Sequence, residues 1–191
     1  MTTIMTIGHS NQSLDDFLDK LTLFNITLII DVRSFPYCRY TPHFTRDNLV
    51  KDLNKNDISY KFLGEELGGR PKNPNLYTND IVDYEKMEKD SLFISGIDSI
   101  INNAKKYNIS VMCSEQNPID CHRCLLVGKV LYSKGFNITH ILKDKTVASH
   151  EEIEHKLLNL AKLAGEDLID TRPQRLRLAY RLRSRKVAYH R

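Results

Sequence analysis

The sequence has 191 residues, of which 41% are apolar and 27% are charged, and its formal net charge is +4. These values predict a soluble globular protein with a sizeable core and argue against a disordered or fibrous chain. No apolar run approaches the roughly 20 residues that a transmembrane helix needs, so we expect no membrane partner. The N-terminal residues do not resemble a signal peptide, and the clustered cysteines are not typical of a secreted disulfide framework. We therefore expect a cytoplasmic protein.

The first half of the chain alternates between apolar strands and amphipathic helices. Ser13 and Asp16 resemble a capping box, which predicts the start of a helix. The unbroken apolar run 28–30 is typical of a strand that is buried on both faces of a parallel sheet. The predicted elements are a strand at 6–8, a helix from about 14, a strand at 26–32, a loop at 34–44, a helix at 45–55, a strand at 58–62, a glycine-rich break at 64–69 and an irregular connection at 71–80.

The second half continues this alternation. Ser149 and Glu152 form a second capping pattern, which predicts a helix that ends at Gly165. Strand and helix alternate about five times, which predicts an α/β fold: a single domain with a mostly parallel sheet of about five strands covered by helices. The predicted elements are a helix in two pieces at 80–107, a strand at 109–113, a helix at 121–134, a strand at 136–142 and the helix after Ser149.

The end of the chain carries an unusual concentration of positive charge. Residues 171–191 contain eight Lys or Arg and no acidic residue, which leaves 20 basic and 24 acidic residues in 1–170. We therefore expect an α/β domain over 1–170 and a basic, helical C-terminal tail over 171–191. The tail arginines, with Tyr180 and Tyr189 between them, would suit a nucleic acid. Alternatively, the tail packs against the acidic domain.

Polar side chains follow the ends of four predicted strands. Because open parallel sheets bind ligands beyond the carboxyl ends of their strands, we expect these side chains to share a functional edge. They are His9 and Ser10 after the first strand, Asp31 and Arg33 after the second, Glu65 after the third and Glu115 after the fourth.

Cys121 is the strongest candidate for a catalytic residue. With Asp120 as N-cap, Cys121 would lie in the first turn of a helix, where the helix dipole favours a thiolate. Its acid or base would be Glu115 or His9, because adjacent helical residues point about 100° apart and His122 could not easily reach the thiol. The alternatives are a buried structural cysteine, a Glu115 that serves only as an ion-pair partner, and a His9 that only bonds the backbone.

Cys124 permits two further hypotheses. With Cys121 it forms a C-x-x-C pattern, as in thioredoxin-like redox sites, although it also lies on an apolar helix stripe. A zinc site would need Cys113, Cys121, His122 and Cys124 to converge, but His122 and Cys124 should face different sides of a helix. We therefore predict neither a metal nor a cofactor, and we find no nucleotide-binding glycine motif.

Several residues are candidates for binding the substrate. Guanidinium groups bind phosphate and carboxylate oxygens in pairs. Alternatively, Arg33 pairs with Asp31, and Arg123 pairs with Glu115. The binding candidates are Arg33, Arg39, Arg123, Ser10, Asp31 and His122.

These residues favour an enzyme, a hydrolase or transferase, that acts on a phosphate-bearing substrate such as a nucleotide or nucleic acid. One alternative is a non-catalytic nucleic-acid-binding module that uses the basic tail. The other is a thiol redox protein.

The motifs resemble the domain-of-unknown-function family 488. The resemblance rests on TIGHS near the start, IDVRSFP with Arg39 and Phe44, Leu67-Gly68-Gly69, Met112-Cys113-x-Glu115 with Cys121-His122-Arg123, and the closing AYRLRSRKVAYHR. It implies an α/β domain and no particular reaction. Cys124 departs from the family pattern. The matched residues are His9, Ser10, Asp31, Arg33, Arg39, Glu115, Cys121, His122 and Arg123.

Overall fold

The computed structural model describes residues 2–165 and 170–191, which include one large sheet and a small hairpin. The strands are β1 (Thr3–Gly8), β2 (Leu28–Asp31), β3 (Ser59–Phe62), β4 (Tyr77–Thr78), β5 (Ile81–Val82), β6 (Ile109–Cys113), β7 (Asn137–Ile141) and β8 (Val147–Ser149). The large sheet has the order β3-β2-β6-β1-β7-β8, and every pair is parallel except β7 and β8. The mostly parallel α/β sheet predicted from the sequence is confirmed. The sequence did not predict β8 or the β4–β5 hairpin.

Eight α-helices surround or follow the strands in the described residues. Ser13 accepts a hydrogen bond from the Asp16 amide, and Ser149 forms a complete capping box with Glu152, so both predicted helix starts are confirmed. The helices are α1 (Leu14–Leu23), α2 (Arg46–Asn54), α3 (Gly64–Leu67), α4 (Tyr84–Met87), α5 (Ser91–Ala104), α6 (Lys129–Ser133), α7 (His150–Leu160) and α8 (Arg172–Val187). A π-helix at Arg123–Gly128 runs directly into α6.

The core lies in two clusters of buried side chains. One contains Phe17 and Leu21 of α1 with Leu49 and Leu53 of α2, and the other contains Phe93 of α5 with residues of the π-helix and α7. All residues of β2 and β6 are buried, which is why these strands have continuous apolar sequences. None of the helices in the described residues is long and apolar enough to cross a bilayer.

The basic tail forms α8, which packs against the rest of the protein. Ala179 and Tyr180 are buried, and four of the tail's arginines make ion pairs with acidic residues of the domain. Beyond the helix, the Val82 amide donates to the Tyr189 carbonyl at 3.0 Å. The domain boundary at 170/171 stays a prediction, and the adjoining residues 166–169 lie outside the described residues.

Candidate active site

Three neighbouring strands end side by side at the carboxyl edge of the sheet. Gly8 of β1 pairs with Cys113 of β6, and Asp31 of β2 pairs with Met112 on the other side of β6. The segments that leave these strands stay together, because the His9 amide donates to the Cys113 carbonyl at 3.0 Å. The topology therefore brings the polar residues that follow β1, β2 and β6 to one region.

A cavity of about 330 Å³ opens at this edge. Another cavity, of about 420 Å³, lies beside β5 and α8 and includes none of the site residues predicted from the sequence, so volume alone does not locate the site. The walls of the smaller cavity include Cys113, Glu115, Cys121, His122, Arg33 and Arg70.

Cys113, Glu115, Cys121 and His122, which we call the thiol cluster, lie in mutual contact. Glu115 Oε2 is 3.2 Å from Cys113 Sγ and 3.0 Å from Cys121 Sγ. His122 Nδ1 is 3.8 Å from Cys113 Sγ and 3.9 Å from Cys121 Sγ. His122 Nε2 donates to the Val32 carbonyl at 3.0 Å, which fixes the ring so that Nδ1 faces the two thiols.

The local backbone explains why His122 reaches Cys121. Cys121 follows a 3-10 turn at Pro118–Asp120 and is extended, with φ −135° and ψ 138°, so it precedes the helix. The sequence predicted Cys121 in the first helical turn and disfavoured His122 as its partner. Both expectations were wrong, because the angular rule for helical neighbours does not apply to an extended residue.

The electrostatics of the cluster favour a thiolate at Cys121. Burial raises the pKa of this thiol, but the hydrogen bond from Cys113 and the charges of Arg123 and His122 outweigh burial and hold that pKa well below its usual value. Burial lowers the pKa of His122, yet the nearby Cys121 raises it above its usual value. Desolvation and then Cys121 raise the pKa of Glu115. The raised pKa of Glu115 and the lowered pKa of Cys121 thus favour a protonated carboxyl group beside a thiolate.

Arg123 supports the loop that carries Glu115. The side chain is fully buried, and its guanidinium donates to the backbone carbonyls of Glu115 and Gln116, at 2.5 and 3.2 Å. The loop also lies so close to β1 that a Cβ on Gly8 would be 1.9 Å from the Glu115 carbonyl oxygen. The expected role of Arg123 in anion binding stays a prediction: Nη1 and Nη2 bond the backbone, the buried Nε has no partner among the described residues, and Arg123 does not line the cavity. Its expected partner was the Glu115 carboxylate, and the structure has the carbonyl instead.

His9, Asp31, Arg33 and Tyr60 form a second buried group, which we call the arginine network. Arg33 makes a buried ion pair with Asp31 at 2.6 Å, and its Nη1 donates to His9 Nε2 at 3.0 Å and to the Phe44 carbonyl at 2.8 Å. Tyr60 donates to Asp31 at 2.7 Å. The pairing of Arg33 with Asp31 is the alternative that the sequence allowed. Although Arg33 borders the cavity, the side chain is only 2% exposed, so the structure does not present it as an open phosphate clamp.

His9 does not serve as the base for Cys121. His9 Nδ1 donates to the Ser10 carbonyl at 2.9 Å, Nε2 accepts from Arg33, and the ring stacks on Phe44 at 4.4 Å between centroids. Burial and the charge of Arg33 lower the pKa of His9 to about 4. Both nitrogens of the neutral ring are thus occupied, and Glu115 is the predicted acid or base that contacts Cys121.

The remaining candidates lie at the periphery. Ser10 is half-buried, and its hydroxyl donates to Asn11 Oδ1 at 3.4 Å. Arg39 is exposed. Glu65 is exposed and pairs with the exposed Lys72 at 3.7 Å. These three side chains do not join the thiol cluster.

One known protein family matches more than half of the chain. The family model described as "Domain of unknown function DUF488" matches residues 13–130. The chain belongs to the DUF488 family. The matched part of this DUF488 protein contains the whole thiol cluster, whereas His9 and α8 lie outside it. No curated protein and no solved structure matches the chain.

Sequence reasoning omitted two residues of the DUF488 site. Cys113 was considered only as a zinc ligand, although side chains two residues apart on an extended segment face the same side and Glu115 follows by two. Arg70 was not predicted at all. It is exposed at the cavity, and its guanidinium centre lies 4.7 Å from the ring centroid of Tyr189. Only the tertiary structure brings Arg70 to the cavity.

Two groups in the described residues have the spacing of metal ligands. One consists of Cys113, Cys121 and His122, and the other of Cys124, His140 and His150. The zinc tetrad that the sequence suggested does not form, because Cys124 Sγ lies in the second group, 3.8 Å from His140 Nε2. The nearest thiol partner of Cys121 is Cys113, with which it shares Glu115.

Proposed function

We propose that this protein is a cysteine-dependent enzyme, a hydrolase or transferase, with Cys121 as the nucleophile. The observation that carries this proposal is the position of Cys121 Sγ on a cavity wall, 3.0 Å from Glu115 Oε2 and 3.9 Å from His122 Nδ1. A thiolate that is stabilised by an imidazolium is a stronger nucleophile at neutral pH than an ordinary thiol, of which only a few per cent is ionised. The four free cysteines suit a reducing cytoplasm.

Each member of the thiol cluster has a role in this reaction. Cys121 attacks an electrophilic centre of the bound substrate and forms a covalent intermediate. The protonated Glu115 donates its proton to the leaving group, and the resulting carboxylate then deprotonates the water or acceptor that releases the product. His122 stabilises the thiolate, and Cys113 donates a hydrogen bond to it.

We further propose a phosphate-bearing substrate, with a nucleotide as the leading candidate. Because Arg33 is buried and Arg123 does not line the cavity, the exposed Arg70 is the cavity residue with an accessible guanidinium. Phe35, Tyr37 and Tyr189 border the same cavity, and Phe35 and Tyr37 are 68% and 72% exposed. Aromatic rings can stack on a base, and a guanidinium can pair with a phosphate.

The two alternatives have weaker support. A binding module led by the tail would have to use a reduced set of cations, because Arg177 and Arg181 pair with Glu85 and Arg183 pairs with Asp120. Arg185 and Lys186 are exposed. A redox pair of Cys121 and Cys124 needs the two thiols to face each other, but Cys124 faces His140. A redox function of this protein would instead require a disulfide between Cys113 and Cys121.

The first experiment measures alkylation of Cys121 by iodoacetamide against pH, with peptide mass spectrometry. A thiol of ordinary pKa is about 0.3% ionised at pH 6, so an activated Cys121 should react at least ten times faster there than Cys38, a half-buried internal reference. Cys113→Ala should slow the reaction at pH 6, because it removes the side-chain hydrogen bond from Cys113 that lowers the pKa of Cys121. A Cys121 that reacts no faster than Cys38 would refute the nucleophile.

The second experiment tests the substrate class. Nucleotides are added one at a time during alkylation, and a nucleotide that fills the cavity should protect Cys121 but not Cys38. Arg70→Gln should abolish protection and leave the alkylation rate unchanged, whereas Glu115→Gln should keep both but stop turnover of the protecting nucleotide. If no nucleotide protects Cys121 while alkylation remains fast, the substrate class is wrong and the nucleophile stands.

A further inference from the structure

A third polar group is buried away from the thiol cavity, between the π-helix, β7 and α7. It consists of Cys124, His140 and His150, which we call the imidazole cluster. The three side chains are at most 1% exposed, and their ligand atoms lie within 4.8 Å of one another. His140 Nε2 is 3.1 Å from His150 Nδ1 and 3.8 Å from Cys124 Sγ. Nothing in the proposed reaction uses these residues.

The outer nitrogen of each ring is held by a hydroxyl group. His140 Nδ1 is 2.8 Å from Thr6 Oγ1, and His150 Nε2 is 2.9 Å from Tyr180 Oη. Tyr180 donates its own proton to Glu154 at 3.4 Å, so it accepts the proton of His150 Nε2. The inner nitrogen of His150, Nδ1, therefore presents a lone pair towards His140 and Cys124.

Two of the three ligand separations are close to those around a common metal ion, and all three ligand atoms lie within 4.8 Å of one another. Metal–nitrogen bonds of 2.0–2.1 Å and a metal–sulfur bond of 2.3 Å in tetrahedral geometry separate two nitrogens by about 3.3 Å and a nitrogen from a sulfur by about 3.6 Å. The observed separations of 3.1 and 3.8 Å differ from these by about 0.2 Å. Histidine ligands in metal sites usually donate their other N–H to an outer partner, and Thr6 and Tyr180 occupy those positions here.

We propose that Cys124, His140 and His150 are three protein ligands of a buried binding site for a thiophilic transition-metal ion. One thiolate and two imidazoles favour zinc(II) or copper(I) over the oxygen-seeking magnesium and calcium ions. The ion would join the π-helix, β7 and the first residue of α7, and through Tyr180 it would also hold α8. His140, His150 and Tyr180 lie outside the part of the chain that matches the family, whereas Cys124 lies inside it.

The thiol cluster is the competing location for such an ion, because Cys113, Cys121 and His122 also have ligand spacing. Solvent access separates the clusters. The thiol cluster borders an open cavity, whereas the imidazole cluster is buried away from it. The imidazole cluster shares no residue with the thiol cluster. Variants can therefore assign a bound ion to one cluster or the other.

The experiment measures the metal content of the full-length protein by elemental analysis after anaerobic reconstitution with zinc(II) or copper(I), in separate arms. We expect one equivalent in wild type, its loss in Cys124→Ser and in His150→Gln, and its retention in the matched control Cys113→Ser. The arm that retains one equivalent after gel filtration identifies the metal. Cobalt(II) substitution should give a thiolate charge-transfer band that Cys124→Ser abolishes and Cys113→Ser preserves.

Tyr180→Phe gives an independent measurement, because it keeps all three ligands and removes the outer hydrogen bond of His150, together with the 3.4 Å bond to Glu154. We expect metal affinity to fall about 10–100-fold. If ligand variants do not fold, titration of wild type with a chelator replaces them and should lower the melting temperature. Wild type without bound metal, or an ion that is lost in Cys113→Ser and kept in Cys124→Ser, would overturn the proposal. Wild type without bound metal leaves the alkylation test of Cys121 unaffected, whereas an ion held by Cys113, Cys121 and His122 would protect Cys121 from alkylation.

Discussion

Lowering the pH from 7.5 to 5 should destabilise the protein through His9, because this histidine is buried as a neutral ring. Its imidazole is 2% exposed and already uses both nitrogens, one as a donor to the Ser10 carbonyl and one as an acceptor from Arg33. Protonation would place a second positive charge beside Arg33 and break the bond that Nε2 accepts. The folded state therefore resists protonation at pH values where the unfolded chain accepts it.

The magnitude follows from the two pKa values. In the folded protein the pKa of His9 is about 4, against 6.5 for an ordinary histidine. Between these values the unfolded state binds more protons, so the stabilising contribution is complete above pH 6.5 and is lost as the pH falls towards 4. Between pH 7.5 and 5 the free energy of unfolding should fall by about 2 kcal/mol from this residue alone.

The assay is urea denaturation at both pH values for wild type and His9→Gln, which keeps a polar side chain but does not titrate. The variant should show a pH dependence smaller by about 2 kcal/mol. The exposed His155→Gln is the matched control and should leave the wild-type dependence unchanged. An equal pH dependence in wild type and His9→Gln would refute the reasoning, since His9 would then be protonated to the same extent in both states.

Two further predictions concern the residues that hold the site. Asp31→Asn leaves Arg33 buried without its counter-charge, so unfolding should require about 3–5 kcal/mol less free energy in urea titrations; a loss below 1 kcal/mol would show that Arg33 does not depend on this carboxylate. Gly8→Ala forces the Glu115 loop away, because the new Cβ would lie 1.9 Å from a carbonyl oxygen. It should cost about 1–3 kcal/mol and slow alkylation of Cys121 at pH 6, whereas Gly165→Ala, which meets no atom within 4 Å, is the control and should leave the alkylation rate unchanged. An unchanged rate in Gly8→Ala would contradict the role of the loop.

Much of the fold was predictable because short stretches of the sequence carry the pattern of the strand or helix that they form. The continuous apolar run of β2 and the capping residue Ser149 each predicted an element that the structure contains. The strands that were missed, β4, β5 and β8, have two or three residues, too few to show a period. The sequence predicted that Glu65, which follows β3, would join the site. Glu65 instead lies in the short helix α3, and its side chain is exposed.

The sequence predicted where the candidate site lies, but not which side chains pair with one another inside it. The sequence places Arg33 and Arg123 near strand ends. Only the tertiary structure shows that Arg33 pairs with Asp31 and that two nitrogens of Arg123 bond backbone carbonyls. The role of His122 was missed for a local reason. Pro118 begins a 3-10 turn that ends at Cys121, so the helix starts later than the spacing of apolar residues suggested.

Helix α8 connects the imidazole cluster to the thiol cavity. A helix rises about 1.5 Å per residue, so Tyr180 and Val187 lie about 10 Å apart on one stiff rod. Tyr180 bonds His150, while Val187 borders the thiol cavity. A tilt of α8 at Tyr180 would therefore also move Val187 and the cavity wall that it forms. The basic helix α8 therefore couples the position of the imidazole cluster to the shape of the cavity beside the thiol cluster.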